Sequence, residues 1–279
     1  MKRSKSFDNS KPLLYLVATP IGNLSEVSKR ALEVFSLADI IAAEDTRNTY
    51  SLLSNFGIKK ELFSLREHNE KEASLYLINK IKEGKKVVYV SDAGYPGISD
   101  PGAILVKEAI AQDIAVSTVS GPSAFINALV ASGLETSHFY YYGFLSAKDN
   151  EAKSELEELK NRKETIIFYE SPHRIKRSLE NIKSVLGNRN IVLARELTKL
   201  NEEYIRGALD ELCEIDESTL KGEMVLIVEG NKQEEVVTDE DLLNRFNQLL
   251  DKGVTKKTAA EIVSEEYKVN KNYVKKITQ

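Results

Sequence analysis

The sequence predicts an α/β fold with two domains and a small helical extension at the C-terminus. Short apolar runs rich in β-branched residues alternate with amphipathic helical patterns through the first half of the chain, which is typical of a parallel sheet flanked by helices. Later runs of the strand type follow one another without helices between them. At roughly 100–200 residues per domain, a chain of 279 residues has room for two domains.

The N-terminal domain is predicted over residues 13–122. Its strands are predicted at 13–18, 39–44, 86–92 and 114–120, where the apolar runs resemble strands buried on both faces. Helices are expected at 25–37, 46–56 and 69–83. Asn23 and Glu26 fit a capping box at the start of the first helix, and Gly57 is expected to end the second. This domain should therefore contain a mainly parallel sheet.

The second domain is predicted over residues 123–230. Strands are expected at 139–144, 164–171, 190–196, 202–209 and 222–230, with helices near 150–161 and 175–186. Because the late strands lack intervening helices, we expect a mixed sheet. Residues 1–12 have the composition of a flexible leader, and the polar segment 231–238 that of a linker. The extension, 239–279, is predicted to form helices at 239–250, 255–267 and 270–277.

Composition excludes several classes of protein. The longest uninterrupted apolar run has six residues, so no transmembrane helix and no membrane partner are expected. The single cysteine, Cys213, excludes an intramolecular disulfide, and three scattered histidines make a metal site unexpected. These features predict a soluble, cytoplasmic protein. Residues 252–279 carry seven lysines against three glutamates although the whole chain has a net charge of −4, which fits either a solvated helix face or a nucleic-acid contact.

The segment 91–102, SDAGYPGISDPG, has the strongest functional signal. It follows a predicted central strand, where open α/β sheets bind ligands, and it is too long for an ordinary connection. No G-x-G-x-x-G or P-loop motif is present, which argues against a site for nucleotide phosphates. Asp92 and Asp100 would instead suit a ligand with positive charge, ribose hydroxyls or an ammonium group. S-adenosyl-L-methionine has all three.

Eight blocks in order carry a family resemblance: LYLVATPIGNL, AAEDTRNT, SDAGYPGISDPG, SGPSA, GFL, FYESPHR, LARELTK and GEMVLIVEG. Together they resemble the tetrapyrrole methylase family of S-adenosylmethionine-dependent enzymes, and within it the methyltransferases that act on small-subunit ribosomal RNA. The resemblance implies two α/β domains with the cofactor in the cleft between them, in a homodimer. It also implies methylation of the ribose 2′-hydroxyl of a cytidine in the decoding region, with ribosomal RNA or the small ribosomal subunit as partner.

Carried over position by position, the resemblance implies ten cofactor contacts. They are Pro20, Asp92, Ala93, Gly94, Ile98, Ser123, Ala124, Glu170, Leu197 and Met224. Relatives that act on tetrapyrroles have a motif resembling G-G-D-P where this chain has residues 92–96.

Two polar clusters are candidates for contact with the substrate. Glu44, Asp45, Thr46 and Arg47 lie at the carboxyl end of the second predicted strand, and Glu170, His173 and Arg174 lie in a strand-to-helix turn of the second domain. Arginines at 47, 174 and 195 are of the type that binds RNA phosphates. The alternative is that these residues cap helices and form ion pairs. A ribose hydroxyl is a weak acid, so a base would help, and the sequence leaves three open: Glu44, Glu170 and His173.

The C-terminal helices resemble a helix-turn-helix. Lys271, Lys275 and Lys276 are predicted to face RNA, with Tyr273, Val274 and Ile277 facing inward. The alternative is a solvated basic face. Two other functions remain open for the whole chain: a small-molecule methylase acting on a tetrapyrrole-like metabolite, and an RNA- or ribosome-binding module without catalysis.

Overall fold

A computed structural model describes residues 13–232 and 238–278. The leader predicted at residues 1–12 lies outside the described residues. The chain forms two compact units, one ending at Asn231 and the other beginning at Lys232.

The first unit begins with a five-stranded parallel sheet. Its strands are β1 (Leu13–Val17), β2 (Ile40–Ala43), β3 (Glu61–Ser64), β4 (Val87–Val90) and β5 (Ala115–Val119), in the spatial order β3-β2-β4-β1-β5. All four predicted strands are present. The strand β3 was not predicted, because it is a short edge strand that begins with an exposed charged residue and lacks the apolar run that marks the others.

Four helices accompany this sheet: α1 (Lys29–Leu37), α2 (Thr46–Asn55), α3 (Glu70–Lys82) and α4 (Ala103–Ala111). The predicted start of α1 was wrong. The Asn23 side chain caps only a short 3-10 turn at Leu24–Glu26, and the α-helix begins after Ser28, whose hydroxyl accepts from the Ala31 N–H at 3.1 Å. A second capping residue within the predicted helix thus divides it in two.

The second sheet is mixed, as predicted. It contains β6 (Phe139–Phe144), β7 (Thr165–Glu170), β8 (Asn190–Arg195), β9 (Glu203–Ala208) and β10 (Met224–Val228), in the order β6-β7-β10-β8-β9. Only β6 and β7 pair in parallel; the other neighbours are antiparallel. The accompanying helices are α5 (Ala124–Ser132), α6 (Asp149–Leu159), α7 (Ile175–Leu186) and α8 (Leu209–Cys213).

One apolar cluster connects the loop that follows β1 of the first sheet with α5 and the second sheet. Ala128 and Leu129 of α5 pack on buried side chains of the second sheet, including Ile167 and Val225, and Ile21 from the β1–α1 connection joins the same cluster. Burial of these side chains stabilises the connection after β1 against the second sheet. The loops at the carboxyl end of β1 therefore lie beside β7 and β10.

The C-terminal unit contains α9 (Asp239–Asp251), α10 (Lys256–Glu266) and α11 (Lys271–Ile277) around a small apolar core. Val274 is buried in that core, as predicted, and Ile277 packs against it. The prediction for Tyr273 was wrong: the residue is 45% exposed, and its hydroxyl donates to Asp239 Oδ1 at 2.6 Å. No helix within 13–232 or 238–278 combines the length and apolarity of a membrane span.

Candidate functional site

A cavity of about 310 Å³ opens between the loops of the first sheet and one end of the strands of the second sheet. Such a volume lies at the lower end of the usual range for small-molecule sites. The wall on one side is the loop 93–100, and the other side is formed by the start of α5, the end of β7 and the start of β10. The lining residues are Ile21, Ala93, Gly94, Tyr95, Ile98, Ser99, Asp100, Ser123, Ala124, Phe125, Phe144, Tyr169, Glu170, Ser171, Pro172, Leu197, Glu223, Met224 and Val225.

The Gly/Pro loop 91–102 is held at both ends. Near its start, Thr19 and Gly94 exchange backbone hydrogen bonds of 2.9 and 3.0 Å. At its end, Glu70 Oε1 accepts from the N–H groups of Gly102 and Ile104 at 2.8 and 2.9 Å. The buried Tyr89 hydroxyl donates to the Pro101 carbonyl at 2.8 Å. The side chains of the Gly/Pro loop therefore reach the cavity from a fixed backbone.

Eight of the ten predicted cofactor contacts line this cavity. They are Ala93, Gly94, Ile98, Ser123, Ala124, Glu170, Leu197 and Met224. The aromatic part of the lining was not predicted from the sequence; it consists of Tyr95, Phe125, Phe144 and Tyr169. The aromatic content of FYYYGF and IIFYES was the available signal, but aromatic side chains in strands are most often core residues.

Pro20 and Asp92, the other two predicted contacts, line a second, polar concavity of about 290 Å³ beside α2. The Asp92 carboxylate accepts from the Asp45 N–H and from Asn48 Nδ2, both at 3.0 Å. Asp92 thus connects the Gly/Pro loop to the start of α2. The other aspartate of the loop, Asp100, is the one that lines the cavity.

Asp100 and Glu44 belong to an acidic region between β2 and the Gly/Pro loop. Burial, with a smaller contribution from Asp92, raises the pKa of Asp100 to about 6, although the Ser91 hydroxyl opposes the shift. Burial also raises the pKa of Glu44, and the charges of Asp100 and Asp92 add to this. In the described part of the chain, no group of three or more His, Cys, Asp or Glu side chains is arranged to hold a metal ion.

In the first candidate substrate cluster, Asp45 is the N-cap of α2 and accepts from the Arg47 N–H at 2.9 Å. Its hydrogen bonds with the Arg47 guanidinium hold the pKa of Asp45 well below its usual range. The Arg47 side chain is 84% exposed. Capping explains Asp45, whereas Arg47 extends into solvent where a large anionic partner can reach it.

In the second cluster, Glu170 and Arg174 contact each other. Glu170 is buried, accepts from the Ser171 N–H at 2.8 Å and from the Ser178 hydroxyl, and lies 3.3 Å from Arg174 Nε. Arg174 also donates to the Leu145 and Ser146 carbonyls at 2.7 and 3.1 Å. These bonds join β7, α7 and the β6–α6 loop. His173 is exposed and does not line the cavity.

The side chains predicted to contact RNA differ in whether they form ion pairs within the protein. Arg195 is mostly buried and its Nε donates to Glu203 Oε2 at 2.6 Å across β8 and β9. Lys271 forms an ion pair with Glu261 of α10. Lys275 and Lys276 are exposed on α11.

The chain is similar over nearly its whole length to curated ribosomal RNA methyltransferases. Ribosomal RNA small subunit methyltransferase I of Escherichia coli O157:H7 is 46% identical over 276 residues, which is 98% of this chain and 96% of the relative. The protein of the same name from Bacillus subtilis is 41% identical over 98% of this chain and 97% of the relative. That from Halalkalibacterium halodurans is 49% identical over 83% of this chain and 81% of the relative.

Solved structures confirm the predicted fold class. The methyltransferase CobJ superposes with a TM-score of 0.60 at 17% identity and covers 81% of this chain and 97% of its own. Diphthine synthase gives a TM-score of 0.60 at 18% identity over 80% of this chain and 91% of its own. The family described as Tetrapyrrole (Corrin/Porphyrin) Methylases matches residues 13–213. Since that match covers most of the chain, this protein belongs to the tetrapyrrole methylase family.

Proposed function

We propose that this protein transfers a methyl group from S-adenosylmethionine to small-subunit ribosomal RNA, at the ribose 2′-hydroxyl of a cytidine in the decoding region. The observation that carries the proposal is the extent of the similarity. Relatives named for ribosomal RNA methylation align with 98% of this chain, including its C-terminal unit. The methyltransferase CobJ, at 17% identity, covers 81% of the chain and shares its fold alone.

The cavity has the chemistry that the methyl donor requires. Apolar side chains, among them Ile98, Phe144 and Leu197, can enclose an adenine ring, and the N-terminus of α5 at Ser123 and Ala124 presents backbone N–H groups. Carboxylates on the wall suit the positive charges of the donor. When bound, S-adenosylmethionine supplies a methyl group already activated by its sulfonium charge. The protein's task is then to position an oxygen nucleophile and exclude water.

The nature and position of the modification can be tested together. The purified protein is incubated with S-adenosylmethionine labelled in the methyl group and with unmodified small subunits, free ribosomal RNA or a porphyrin precursor in separate reactions. We expect label in the RNA and, after alkaline hydrolysis, in a dinucleotide containing cytidine, because a 2′-O-methyl group blocks cleavage at that ribose. Label in the porphyrin precursor alone, or in a base, would contradict the proposal, and comparison of subunits with free RNA identifies the substrate state.

We propose a role for the C-terminal unit in RNA binding. Lys275 and Lys276 are exposed on α11, so each can neutralise a phosphate. Each phosphate contact contributes about −0.7 to −0.9 to the slope of log affinity against log salt. Replacing both lysines with Ala should therefore flatten the salt dependence of RNA binding and raise the KM for the RNA substrate, with unchanged affinity for the methyl donor.

Lys271→Ala is the matched control, because the ion pair with Glu261 already compensates that charge. It should change the salt slope less than the double variant. A double variant with the wild-type slope and KM would instead support a solvated basic face.

We also propose that the active form is a cytoplasmic homodimer. Apolar side chains are exposed on the first unit, with Val130 73% and Ile126 38% exposed one turn apart on α5 and Phe139 40% exposed on β6. Burial of such side chains against a second copy is favourable. Light scattering at micromolar concentration should give twice the chain mass of 31.3 kDa. A mass near 31.3 kDa would contradict the dimer.

A further inference from the structure

Arg66 lies just after β3, the edge strand of the first sheet. The residue is exposed, and its Nε donates to the Glu44 carbonyl at 3.0 Å. A guanidinium has five N–H groups, so this bond leaves the four on Nη1 and Nη2. Neither of these nitrogens has a partner among the residues that the structure describes. Arg66 therefore offers a forked pair of donors to an anion from solvent.

The main chain at Arg66 is also held in place. The Leu65 N–H donates to the Ala43 carbonyl at 2.9 Å, which continues the pairing of β3 with β2 past the end of the strand. The Arg66 N–H donates to Asn69 Oδ1 at 2.7 Å, and the Asn69 N–H donates back to the Arg66 carbonyl at 3.1 Å. Because backbone and guanidinium are both fixed before an anion arrives, binding costs less conformational entropy.

The position of Arg66 relates it to the cavity. The strands β3, β2 and β4 lie side by side and parallel, so their carboxyl ends share one edge of the sheet. Arg66 follows β3, Glu44 follows β2 and the Gly/Pro loop follows β4. Adjacent strands lie about 4.8 Å apart, which puts β3 about 10 Å from β4. A polynucleotide with one nucleotide at the cavity can therefore extend along this edge and over Arg66.

The charges at this edge distinguish Arg66 from Arg47. Burial raises the pKa of Glu44 and the charge of Arg66 opposes that rise, whereas hydrogen bonds from Arg47 lower the pKa of Asp45 and Arg66 adds a small contribution. Arg66 is thus close to both carboxyl groups. The guanidinium of Arg47 donates to the Asp45 carboxylate through Nε and Nη2. Within the described part of the chain Arg66 forms no such ion pair, so its charge is the more available to a phosphate.

We propose, on the basis of the function proposed above, that Arg66 binds a backbone phosphate of the RNA substrate close to the nucleotide that is methylated. Its two Nη groups match two oxygens of a phosphodiester, a geometry that arginine favours. Contacts of this kind fix the register and orientation of a nucleic acid without reading its sequence. Arg66 positions the RNA and takes no part in methyl transfer. It was not a candidate from the sequence because the strand before it was not predicted.

The salt dependence of RNA binding tests the contact. Arg66→Gln removes the charge and keeps a polar side chain. Binding is measured over a series of salt concentrations with the substrate that the wild type methylates, either unmodified small subunits or free ribosomal RNA. At low salt we expect at least about tenfold weaker binding, since hydrogen bonds to charged groups have that strength. The slope of log affinity against log salt should be shallower by about 0.7–0.9, the value for one phosphate.

Two further variants separate a specific contact from a general loss of charge. Lys59→Gln removes one positive charge at an exposed position two residues before β3, at the opposite edge of the same strand, and should keep the wild-type slope and affinity. Arg66→Lys keeps the charge without the fork, so it should retain most of the slope while binding RNA more weakly than the wild type. An equal loss in Lys59→Gln and Arg66→Gln would overturn the proposal.

Kinetics and stability exclude a purely structural role. A phosphate contact is made equally before and during methyl transfer, so Arg66→Gln should raise the KM for RNA and leave kcat within about threefold of the wild type. Its affinity for S-adenosylmethionine should stay within about twofold, because Arg66 is not among the residues that line the cavity. A lower Tm with the wild-type salt slope and KM would mean that Arg66 only supports the sheet edge, and this inference would fail while the function stands. If the wild type does not methylate RNA at all, it is the proposed function that fails.

Discussion

Replacing Gly102 with Ala tests whether the Gly/Pro loop is as rigidly held as its contacts indicate. Gly102 has a φ of +130°, and a Cβ there would lie 2.6 Å from Cε1 and 3.3 Å from Cδ1 of Tyr89. The Tyr89 ring cannot easily move away, because it is fully buried and its hydroxyl donates to the Pro101 carbonyl. The new methyl group must therefore displace the loop or the ring.

Gly97 in the same loop provides the matched control. It also has a positive φ, +84°, but a Cβ there would meet no atom within 4 Å. Gly97→Ala should thus cost only the backbone strain, about 1–2 kcal/mol. Gly102→Ala adds overpacking of about 1–3 kcal/mol, for a total of about 2–5 kcal/mol.

Thermal unfolding measures the difference. At roughly 2–4 °C per kcal/mol for a protein of comparable size, Gly97→Ala should lower Tm by about 2–8 °C and Gly102→Ala by about 4–20 °C. Gly102→Ala should also weaken binding of S-adenosylmethionine more than Gly97→Ala does, since the displaced loop forms the cavity wall. Equal melting temperatures for the two variants would refute the argument, because the contact with Tyr89 would then have no energetic consequence.

Three further changes have definite expected outcomes. Burial raises the pKa of Asp100 from 3.8 to about 6 in the folded state, so the folded protein binds more protons than the unfolded chain between these values and loses stability as the pH rises through that window. At pH 7.5 Asp100→Asn should therefore have a higher Tm than the wild type, with a free energy of unfolding greater by at most about 3 kcal/mol. At pH 4 the two proteins should melt at nearly the same temperature. A difference in Tm that does not change with pH would disprove this cause. Gly94→Val places a β-branched side chain at a φ of +73° in the cavity wall, so calorimetry should show at least about tenfold weaker donor binding in a folded variant, and an unchanged Kd would contradict the site. Val130→Glu should reduce the mass in light scattering to that of one chain, and a persistent dimer would exclude this face of α5 as the interface.

The sequence determined most of the fold because its signals there are local. Buried parallel strands appear as short β-branched runs, and each of the four that the sequence predicted in the first sheet is present. The exposed edge strand β3, with glutamate at its start, gives no such run and is formed by pairing with β2. The sequence also offers two capping residues near the first helix, and in the structure Asn23 caps a 3-10 turn whereas Ser28 caps α1.

At the candidate site, the sequence predicted the loop but not which of its side chains face the cavity. The Gly/Pro composition of the loop 91–102, its length and its place after a central strand predict a ligand loop from the sequence, because glycines and prolines at this density specify a fixed and unusual backbone. Which of its two aspartates faces the cavity was decided by the tertiary structure: the Thr19–Gly94 bridge and the bonds to α2 place Asp92 on one side, and the anchors at Pro101 and Gly102 place Asp100 on the other. The sequence likewise specifies the glutamate at the end of β7 and the arginine after it, but only the approach of α7 and the β6–α6 loop brings Glu170 and Arg174 into one hydrogen-bonded group. Residue type sets the chemistry that each position can perform, whereas burial and neighbouring charges, which come from distant parts of the chain, set which group is free to perform it.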